Sequence, residues 1–227
     1  MKITFISDTH TKHSQLNLPG GDILIHAGDL MNSGYSENDV IVFLDWFEEQ
    51  SYTHKIFIAG NHDRMFENEP DEIMKFLEVS SEYGVTYLQD SEIIIDGVKI
   101  YGSPWQPEFY NWAFNLPRCG WELEQKWKDI PEDTDILVTH GPPQGYLDTS
   151  GPPYNQPNLG CELLRVRVDE LKPKIHTFGH IHGGSGYKTN GHTHFINASV
   201  LGEDYKLTCD GYIITFDHQN NDINFIA

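Results

Sequence analysis

The sequence predicts an α/β fold with mixed β-sheets, and three observations support that prediction. Short apolar runs of strand length alternate with polar loops and with segments whose apolar residues have helical spacing. Asp96-Gly97 separates two apolar runs, which is a strong signal for a two-residue β-hairpin and therefore for antiparallel pairing. The length of 227 residues is ordinary for one α/β domain, and the chain contains no internal repeat. We therefore expect a single domain over residues 1–227.

Apolar periodicity and turn residues place the individual elements. Ser36 is a candidate N-cap, because the apolar residues that follow it recur at helical spacing from Val40 to Phe47. Pro70 precedes another helical segment. In chain order we expect strands at residues 3–6, 23–25, 55–59, 92–95, 98–101, 136–138, 175–178, 195–197 and 212–216. The remaining helices are expected near residues 71–82, 121–128 and 161–171.

Composition excludes several classes of protein. The 15 Lys and Arg residues against 34 Asp and Glu residues give a net charge of −19, which excludes a nonspecific nucleic-acid binder and argues against anionic membranes. With 38% hydrophobic residues the chain is not expected to be disordered. No apolar stretch at the N-terminus suits a signal peptide, and no run is long enough for a membrane span. The three cysteines form no CxxC pair, so we expect a reducing, cytoplasmic compartment.

Five polar clusters each follow an apolar run that is predicted to be a strand. Ligands of open α/β sheets bind beyond the carboxyl ends of strands, so five clusters in that position can converge on one site. Each cluster alone is also compatible with an ordinary turn, and their combination carries the prediction. The clusters are Asp8-Thr9-His10, Gly28-Asp29, Gly60-Asn61-His62-Asp63, Thr139-His140-Gly141 and Gly179-His180-Ile181-His182.

The residue types in these clusters predict a metal site without thiolates. Asp, Asn and His suit Mn, Fe or Zn better than Ca or Mg. Alternate residues of an extended chain point the same way, so Asp8 and His10 can reach one ion, as can His180 and His182. Asp29 has two carboxylate oxygens and could bridge two ions about 3.5–4 Å apart, the spacing of two-metal hydrolases. These residues therefore permit two divalent transition-metal ions, for which our first choice is Mn²⁺ and the alternatives are Fe or Zn.

The order of these motifs resembles that of the calcineurin-like metallophosphoesterase superfamily. Longer segments are similar to its metallophosphoesterase-domain branch (MPPED), and the resemblance covers nearly the whole chain. These segments are YGSPWQPEFYNWAFNLPR (101–118), LVTHGPPQGYLD (137–148), FGHIHGGSGY (178–187) and INAS (196–199). The resemblance implies two packed mixed β-sheets flanked by helices, a four-layer sandwich, with a dinuclear metal site at one edge.

The resemblance also implies a role for each residue of the motifs. By motif, Asp8, His10, Asp29 and His182 resemble the ligands of one metal. Asp29, Asn61, His140 and His180 resemble those of the second, with Asp29 bridging. His62 resembles the catalytic histidine, which would protonate or stabilise the leaving oxygen after a metal-bridging hydroxide attacks phosphorus. Asp63 either orients His62 or is a turn residue.

The aromatic, proline-rich loop over residues 102–117 supplies candidates for contacts to a substrate. Trp105 and Trp112 could stack on a base, and Arg118 just beyond the loop could contact phosphate. The alternatives are that the rings pack the loop down and that Arg118 makes an ordinary salt bridge. Residues 141–160, rich in Pro and Gly, are interpreted as an active-site loop, because motif residues lie on both sides of them.

These observations together predict a metal-dependent phosphodiesterase of small phosphoesters such as cyclic nucleotides. The alternatives are a phosphomonoesterase or protein phosphatase, which shares the two-metal core, and a noncatalytic nucleotide-binding module. Two divalent ions would bring four positive charges, and Asp8, Asp29 and a hydroxide would each bring one negative charge. The site would then have a net charge near +1, so the metals would attract phosphate despite the acidic chain. We expect a small substrate rather than a long nucleic acid, and no membrane partner.

Overall fold

A computed structural model describes residues 1–220 and 222–226, and in it two mixed six-stranded sheets organise the chain. The first sheet, in spatial order, contains β14 (Asp222–Phe225), β13 (Tyr212–Asp217), β1 (Lys2–Ile6), β2 (Gly21–His26), β3 (Tyr52–Phe57) and β4 (Val85–Tyr87). The second contains β11 (Gly186–Thr189), β12 (His194–Asn197), β10 (Ile175–Phe178), β9 (Ile136–Thr139), β6 (Val98–Ser103) and β5 (Ser91–Ile95). A small separate pair, β7 (Gln106–Pro107) and β8 (Asn115–Leu116), lies within the aromatic loop.

Five α-helices are present in the part of the chain that the structure describes. They are α1 (Glu37–Glu48), α2 (Arg64–Asn68), α3 (Pro70–Ser81), α4 (Trp121–Lys128) and α5 (Glu162–Leu171). The Ser36 side chain accepts a hydrogen bond from the Asp39 backbone N–H at 3.2 Å, which confirms the predicted N-cap of α1. No helix among the described residues is both long and apolar enough to cross a bilayer.

The alternation of side chains along the strands builds a four-layer sandwich. In β2, Ile25 packs into the apolar layer between the two sheets, whereas its neighbour Leu24 faces α1 and α3 on the outside. In β9, Val138 joins the layer between the sheets and Leu137 faces α4 and α5. Each sheet is therefore apolar on both faces, as expected for buried, mostly parallel strands. This architecture confirms the predicted fold.

Local signals predicted most elements with small shifts of their ends. Asp96 and Gly97 both have positive φ (49° and 83°) and link β5 to β6 as the predicted two-residue hairpin. The additional elements are α2, β4, β11 and β14, together with the pair β7–β8 inside a segment that the sequence predicts to be a loop.

The parallel strands carry the functional end of the sandwich. In the first sheet β1, β2 and β3 are parallel, and in the second β9 and β10 are parallel. The five polar clusters follow the carboxyl ends of these five strands. The topology thus directs all of them to one edge of the two packed sheets, as predicted.

Candidate metal centre

The loops after β1 and β2 are held together by backbone hydrogen bonds. The N–H of Asp8 donates to the carbonyl of Gly28 at 2.9 Å, and the N–H of His10 donates to the carbonyl of Asp29 at 3.0 Å. Asp8, Asp29 and His180 all have φ between 55° and 67°, a left-handed conformation that non-glycine residues seldom adopt. Such strain persists where surrounding contacts enforce it and is concentrated at functional sites.

One group of ligating atoms surrounds Asp8. The Nε2 atom of His182 lies 3.4 Å from Asp8 Oδ1 and also 3.4 Å from His10 Nε2. The Nε2 atom of His10 lies 3.7 Å from Asp29 Oδ2. Asp8, His10 and His182 thus form one cluster whose ligating atoms are close enough to share a cation.

A second group lies on the other side of Asp29. The Nε2 atom of His140 lies 3.4 Å from Asp29 Oδ2, the carboxylate oxygen that also approaches His10. Asn61 Oδ1 lies 2.9 Å from His140 Nε2 and 2.8 Å from His180 Nδ1. The structure therefore brings all seven predicted ligands together, with Asp29 between the two groups. Their assignment as ligands remains a prediction.

Hydrogen bonds fix which nitrogen of three histidines faces the site. The Nδ1–H groups of His10, His140 and His182 donate to the backbone carbonyls of Met31, Ala27 and Gly202 at 3.0, 2.9 and 3.1 Å, respectively. Each ring is thereby held with Nε2 directed towards Asp8 or Asp29. This is the arrangement by which metal-binding histidines are oriented in proteins, and the donor set of imidazoles, carboxylates and one amide oxygen fits a divalent transition metal.

Two His–Asp pairs of opposite charge lie within the centre. Burial alone would lower the pKa of His140, but the Asp29 carboxylate outweighs it and raises that pKa to about 9. Asp8 likewise raises the pKa of His182 to about 9 against the effect of burial. In return these histidines hold the pKa of the buried Asp8 and Asp29 carboxyls below their usual range. The site is thus built to place cationic charge beside two ionised carboxylates.

Asp63 holds the backbone of the site rather than the His62 ring. Its Oδ2 accepts from the N–H of Asp29 at 2.8 Å and of Gly60 at 2.7 Å, and its Oδ1 accepts from the N–H of Met31 at 2.8 Å. Burial, reinforced by the nearby Asp29 charge, raises the pKa of Asp63 to about 7. The sequence predicts that Asp63 either orients His62 or is a turn residue. The structure supports the role of turn residue, and it adds that Asp63 also holds the loop that carries Asp29.

His62 lies at the rim of the centre. Its backbone N–H donates to Asp29 Oδ1 at 2.8 Å, and its ring Nδ1–H donates to the carbonyl of Asn32. The ring packs perpendicular to His10, with 4.6 Å between centroids. Its ligating atoms are also close enough to those of His10 and Asp29 to share a cation.

A cavity of about 340 Å³ opens directly onto the candidate centre, a volume that suits a small molecule. Asp29, Asn61, His62, His180 and His182 form its floor. Its walls are largely apolar and come from both loops that the sequence singled out. They include Pro107, Phe109, Pro142, Tyr154, Leu159 and Ile181.

Three residues predicted to contact a substrate have other contacts in the structure. Trp105 Nε1–H donates to Asp90 Oδ2 at 2.8 Å, and Trp105 does not line the cavity. Trp112 also lies off the cavity wall and stacks on His62 instead. For the two rings the alternative of loop packing fits better than contact with a base. Arg118 lines the cavity, but its guanidinium already donates to the carbonyls of Leu159 and Gly160 and pairs with Glu162 at 2.5 Å.

Several residues near the centre had no recognisable signal in the sequence. Glu203 Oε1 accepts from the N–H of Gly151 at 2.7 Å and of Gly183 at 3.2 Å. It thereby joins the loop over residues 141–160 to the turn that carries His182. The Tyr205 ring lies 5.0 Å from His10 and 5.1 Å from His182 between centroids. Both residues follow no motif, and long-range folding alone brings them to the site.

Comparisons with known proteins agree with this geometry. The sequence model of the family described as Calcineurin-like phosphoesterase matches residues 1–184. The chain is 43% identical over 220 residues to human "Metallophosphoesterase domain-containing protein 1", covering 88% of this chain and 66% of that protein. It is 38% identical over 213 residues to the Caenorhabditis elegans "UPF0046 protein K07C11.7", covering 88% of this chain and 69% of that protein. The chain thus spans about two thirds of the length of these relatives.

A solved structure shares the fold at low sequence identity. The crystal structure of TT1561 of Thermus thermophilus superposes with a TM-score of 0.66 at 15% identity, covering 99% of this chain and 97% of that chain. At this identity the similarity concerns the fold alone, and it extends over both six-stranded sheets.

Proposed function

The chain belongs to the calcineurin-like phosphoesterase family, and on this basis we propose that it is a dinuclear metal-dependent phosphodiesterase. Its substrates would be small phosphodiesters such as cyclic nucleotides. The observation that carries the proposal is the set of three Nδ1–H bonds from His10, His140 and His182 to backbone carbonyls, which directs three Nε2 atoms at two buried carboxylates. This orientation is the one by which metal-binding histidines are held in proteins.

The proposed ligand sets follow the two groups of atoms around Asp29. Asp8, His10, Asp29 and His182 would hold one ion, and Asp29, Asn61, His140 and His180 would hold the other. We propose Mn²⁺ as the resident metal, with Fe or Zn as alternatives, because the donors are nitrogen and oxygen without thiolate. Two bound divalent ions would supply a nucleophile from water at neutral pH and neutralise charge on the phosphoryl oxygens.

His62 is proposed to deliver a proton to the leaving oxygen. Its Nδ1–H is engaged by the Asn32 carbonyl, so Nε2 is the atom free to hold and transfer that proton. Acid–base assistance of this kind contributes typically about 10²–10⁴-fold to turnover.

The charges around the cavity favour a diester over a monoester. Beyond the proposed metal ligand Asp29, the acidic residues among the described ones that line it are Glu108 and Glu203, and Arg118 is the one Lys or Arg side chain. That guanidinium is already engaged by two carbonyls and by Glu162. A diester carries one negative charge and a monoester up to two, so these carboxylates repel the diester less.

The same cavity supports a small substrate. Its volume of about 340 Å³ and its apolar walls suit a compact leaving group, whereas a net charge of −19 disfavours a long polyanion on the surrounding surface.

One domain over residues 1–227 and cytoplasmic residence remain predictions.

Metal analysis combined with an ester panel tests the proposed function. The purified protein is assayed for bound Mn, Fe and Zn, and then for hydrolysis of diesters and the matching monoesters at equal metal loading. We expect Asp29→Ala to lose metal and activity together, and His62→Ala to keep metal while turnover falls about 10²–10⁴-fold. Full activity in Asp29→Ala would overturn the site assignment.

The same panel separates the alternatives. A higher rate on the monoester than on the diester would instead favour a phosphomonoesterase. Tight nucleotide binding without turnover, in any of the metals tested, would favour a noncatalytic nucleotide-binding module.

A further inference from the structure

Trp112 makes a close stacking contact with the ring of His62. The two ring centroids are 4.0 Å apart and the planes meet at 24°. Trp112 does not line the cavity beside the metal centre, whereas His62 does. The indole is therefore placed behind the histidine and not across the path of a substrate.

The segment that carries Trp112 is fastened to the His62 turn on both sides of the contact. The N–H of Ala113 donates to the carbonyl of Asn61 at 3.1 Å. The Arg64 guanidinium donates to the carbonyl of Asn111 and lies 4.6 Å from the Trp112 ring, within range of a cation–π interaction. Trp112 is thus held in place before any substrate enters.

The stack supplies an orientation that the hydrogen bond of His62 cannot supply alone. The Nδ1–H bond to Asn32 determines which nitrogen is free, but a ring held by one such bond can still tilt about the N–H···O axis. An indole face at 4.0 Å restricts that tilt and therefore the direction of Nε2. Proton transfer requires this direction to be correct, because a misplaced catalytic group loses most of its effect.

We propose that Trp112 is a positioning residue that aims His62 Nε2 at the leaving oxygen. The proposal rests on the proposed function, in which His62 supplies the proton. It assigns Trp112 no contact with substrate, so removal of the indole should slow the chemical step without weakening substrate binding. The loss should be largest for leaving groups that need the proton most.

The test compares Trp112→Leu, Trp112→Phe, His62→Ala and the double variant His62→Ala/Trp112→Leu on aryl phosphodiesters whose phenols differ in pKa. We expect Trp112→Leu to lower kcat by about 10–100-fold for the poorest leaving group and much less for the best, with KM nearly unchanged. Trp112→Phe keeps an aromatic face and should recover most of the loss. In the His62→Ala background, Trp112→Leu should have little further effect.

Controls separate a structural defect from a positioning role. Trp121→Phe changes an exposed indole on α4 that does not line the cavity, and it should behave like the parent protein. In the diamagnetic Zn²⁺-loaded protein, the ring-current shift of the His62 Cε1 proton should vanish in Trp112→Leu and persist in Trp112→Phe. That signal reports the stack independently of activity and shows whether Trp112→Leu is folded.

Three results would overturn the proposal. An equal loss of kcat on every leaving group would indicate a general structural role. A rise in KM alone would indicate direct contact with the substrate. Additive losses of kcat in the double variant would show that Trp112 does not act through His62. If the metal-loaded parent protein hydrolyses no ester, the proposed function fails and this role fails with it. If the parent is active and Trp112→Leu matches it on every ester, only the role of Trp112 fails.

Discussion

Gly179 lies so close to Asp8 that a β-carbon on this glycine would come within 2.0 Å of Asp8 Oδ2. The same β-carbon would lie 2.1 Å from Ser7 Oγ. Asp8 also accepts from the His180 N–H at 3.0 Å, so a shift of the carboxylate would disturb this contact. The glycine of the Gly-His-Ile-His motif is therefore needed for the close approach of two ligand loops.

The first prediction is that Gly179→Ala impairs metal binding more than folding. The added methyl must displace the Asp8 carboxylate or move the His180 loop. Either change alters the distances among the ligating atoms of the group around Asp8. We expect metal affinity to fall by about 10–100-fold, as when the supports of a metal ligand are altered. Calorimetric titration of the metal-free protein measures this directly.

Gly141→Ala is the matched control for that experiment. It also adds a methyl beside a proposed ligand, but its β-carbon would meet only Gln106 Cβ, at an ordinary 3.8 Å. Its metal affinity should stay near that of the parent. Equal affinities in the two variants would show that the Asp8–Gly179 contact does not constrain the centre.

The second prediction concerns the carboxylate of Asp63. It accepts from four backbone N–H groups in the loops of Asp29 and Gly60, three of them at 2.7–2.8 Å and that of Leu30 at 3.3 Å. In Asp63→Asn one acceptor oxygen becomes an NH₂ group that faces N–H donors. At pH 8.5 Asp63 is ionised, and its raised pKa shows that burial and Asp29 oppose this charge, so removal of the charge partly offsets the lost hydrogen bonds. We therefore expect a net loss of about 1–2 kcal/mol in the free energy of unfolding.

Thermal unfolding in the presence of a chelator measures this loss apart from metal binding. For a chain of this length about 1–2 kcal/mol corresponds to a fall of about 2–8 °C in Tm. Asp71→Asn, on the exposed first turn of α3, provides the control and should unfold like the parent. An unchanged Tm for Asp63→Asn would mean that these hydrogen bonds do not stabilise the loop.

Local chemistry explains which parts of the fold the sequence alone predicted. Ser36 caps α1 and Asp96-Gly97 turns a hairpin through contacts between residues close in the chain, and such signals can be read without a structure. The strands β4, β11 and β14 lie at sheet edges, where pairing with one distant strand defines them. Short edge strands carry little pattern of their own, so they were missed.

The same distinction applies to the candidate centre. Its seven proposed ligands stand in short motifs after strands, so their convergence followed from topology. Glu203, Tyr205 and the contact between Trp112 and His62 depend on loops that are distant in sequence or on one side-chain packing arrangement. An aromatic residue in a loop has the same appearance in sequence whether it contacts a substrate or supports a catalytic group.

The third prediction is a pH-dependent stability carried by His176. This side chain is fully buried, and burial lowers its pKa to about 3. Thr139 Oγ1–H donates to the carbonyl of Gly141, so it accepts from His176 Nε2–H at 2.8 Å, and Nδ1 has no partner among the described residues. A proton on Nδ1 would thus be buried without a hydrogen bond.

The sign of the effect follows from proton linkage. Between about pH 6.5 and pH 3 the unfolded chain binds a proton at His176 that the folded chain does not, so stability falls as the pH falls. At pH 5.0 this group should cost about 2 kcal/mol relative to pH 7.5. Urea unfolding of the parent and of His176→Leu, both in the presence of a chelator, measures this effect. Between pH 7.5 and pH 5.0, the free energy of unfolding of the variant should increase by that amount relative to that of the parent. Parallel pH profiles would contradict the assigned pKa.

The fourth prediction is that bound metal stabilises the fold through Asp29. A ligand that binds only the folded state adds about 2.7 kcal/mol at 100 times its Kd, which corresponds to a rise of about 5–11 °C in Tm for a chain of this length. We expect this rise when Mn²⁺ is added to the chelated protein. It should be largely lost in Asp29→Asn, because that carboxylate lies between both groups of ligating atoms, 3.7 Å from His10 Nε2 and 3.4 Å from His140 Nε2.

Ca²⁺ and a surface variant are the controls for this rise in Tm with Mn²⁺. Ca²⁺ prefers six to eight oxygen ligands, and the proposed sites offer several imidazole nitrogens, so it should raise Tm far less than Mn²⁺ at equal concentration. Asp71→Asn should respond to Mn²⁺ like the parent, since its carboxylate lies on the exposed start of α3. If Asp29→Asn kept the full Mn²⁺ response, the cation would bind elsewhere. Asp29 would then lose its bridging assignment, even if hydrolysis were observed.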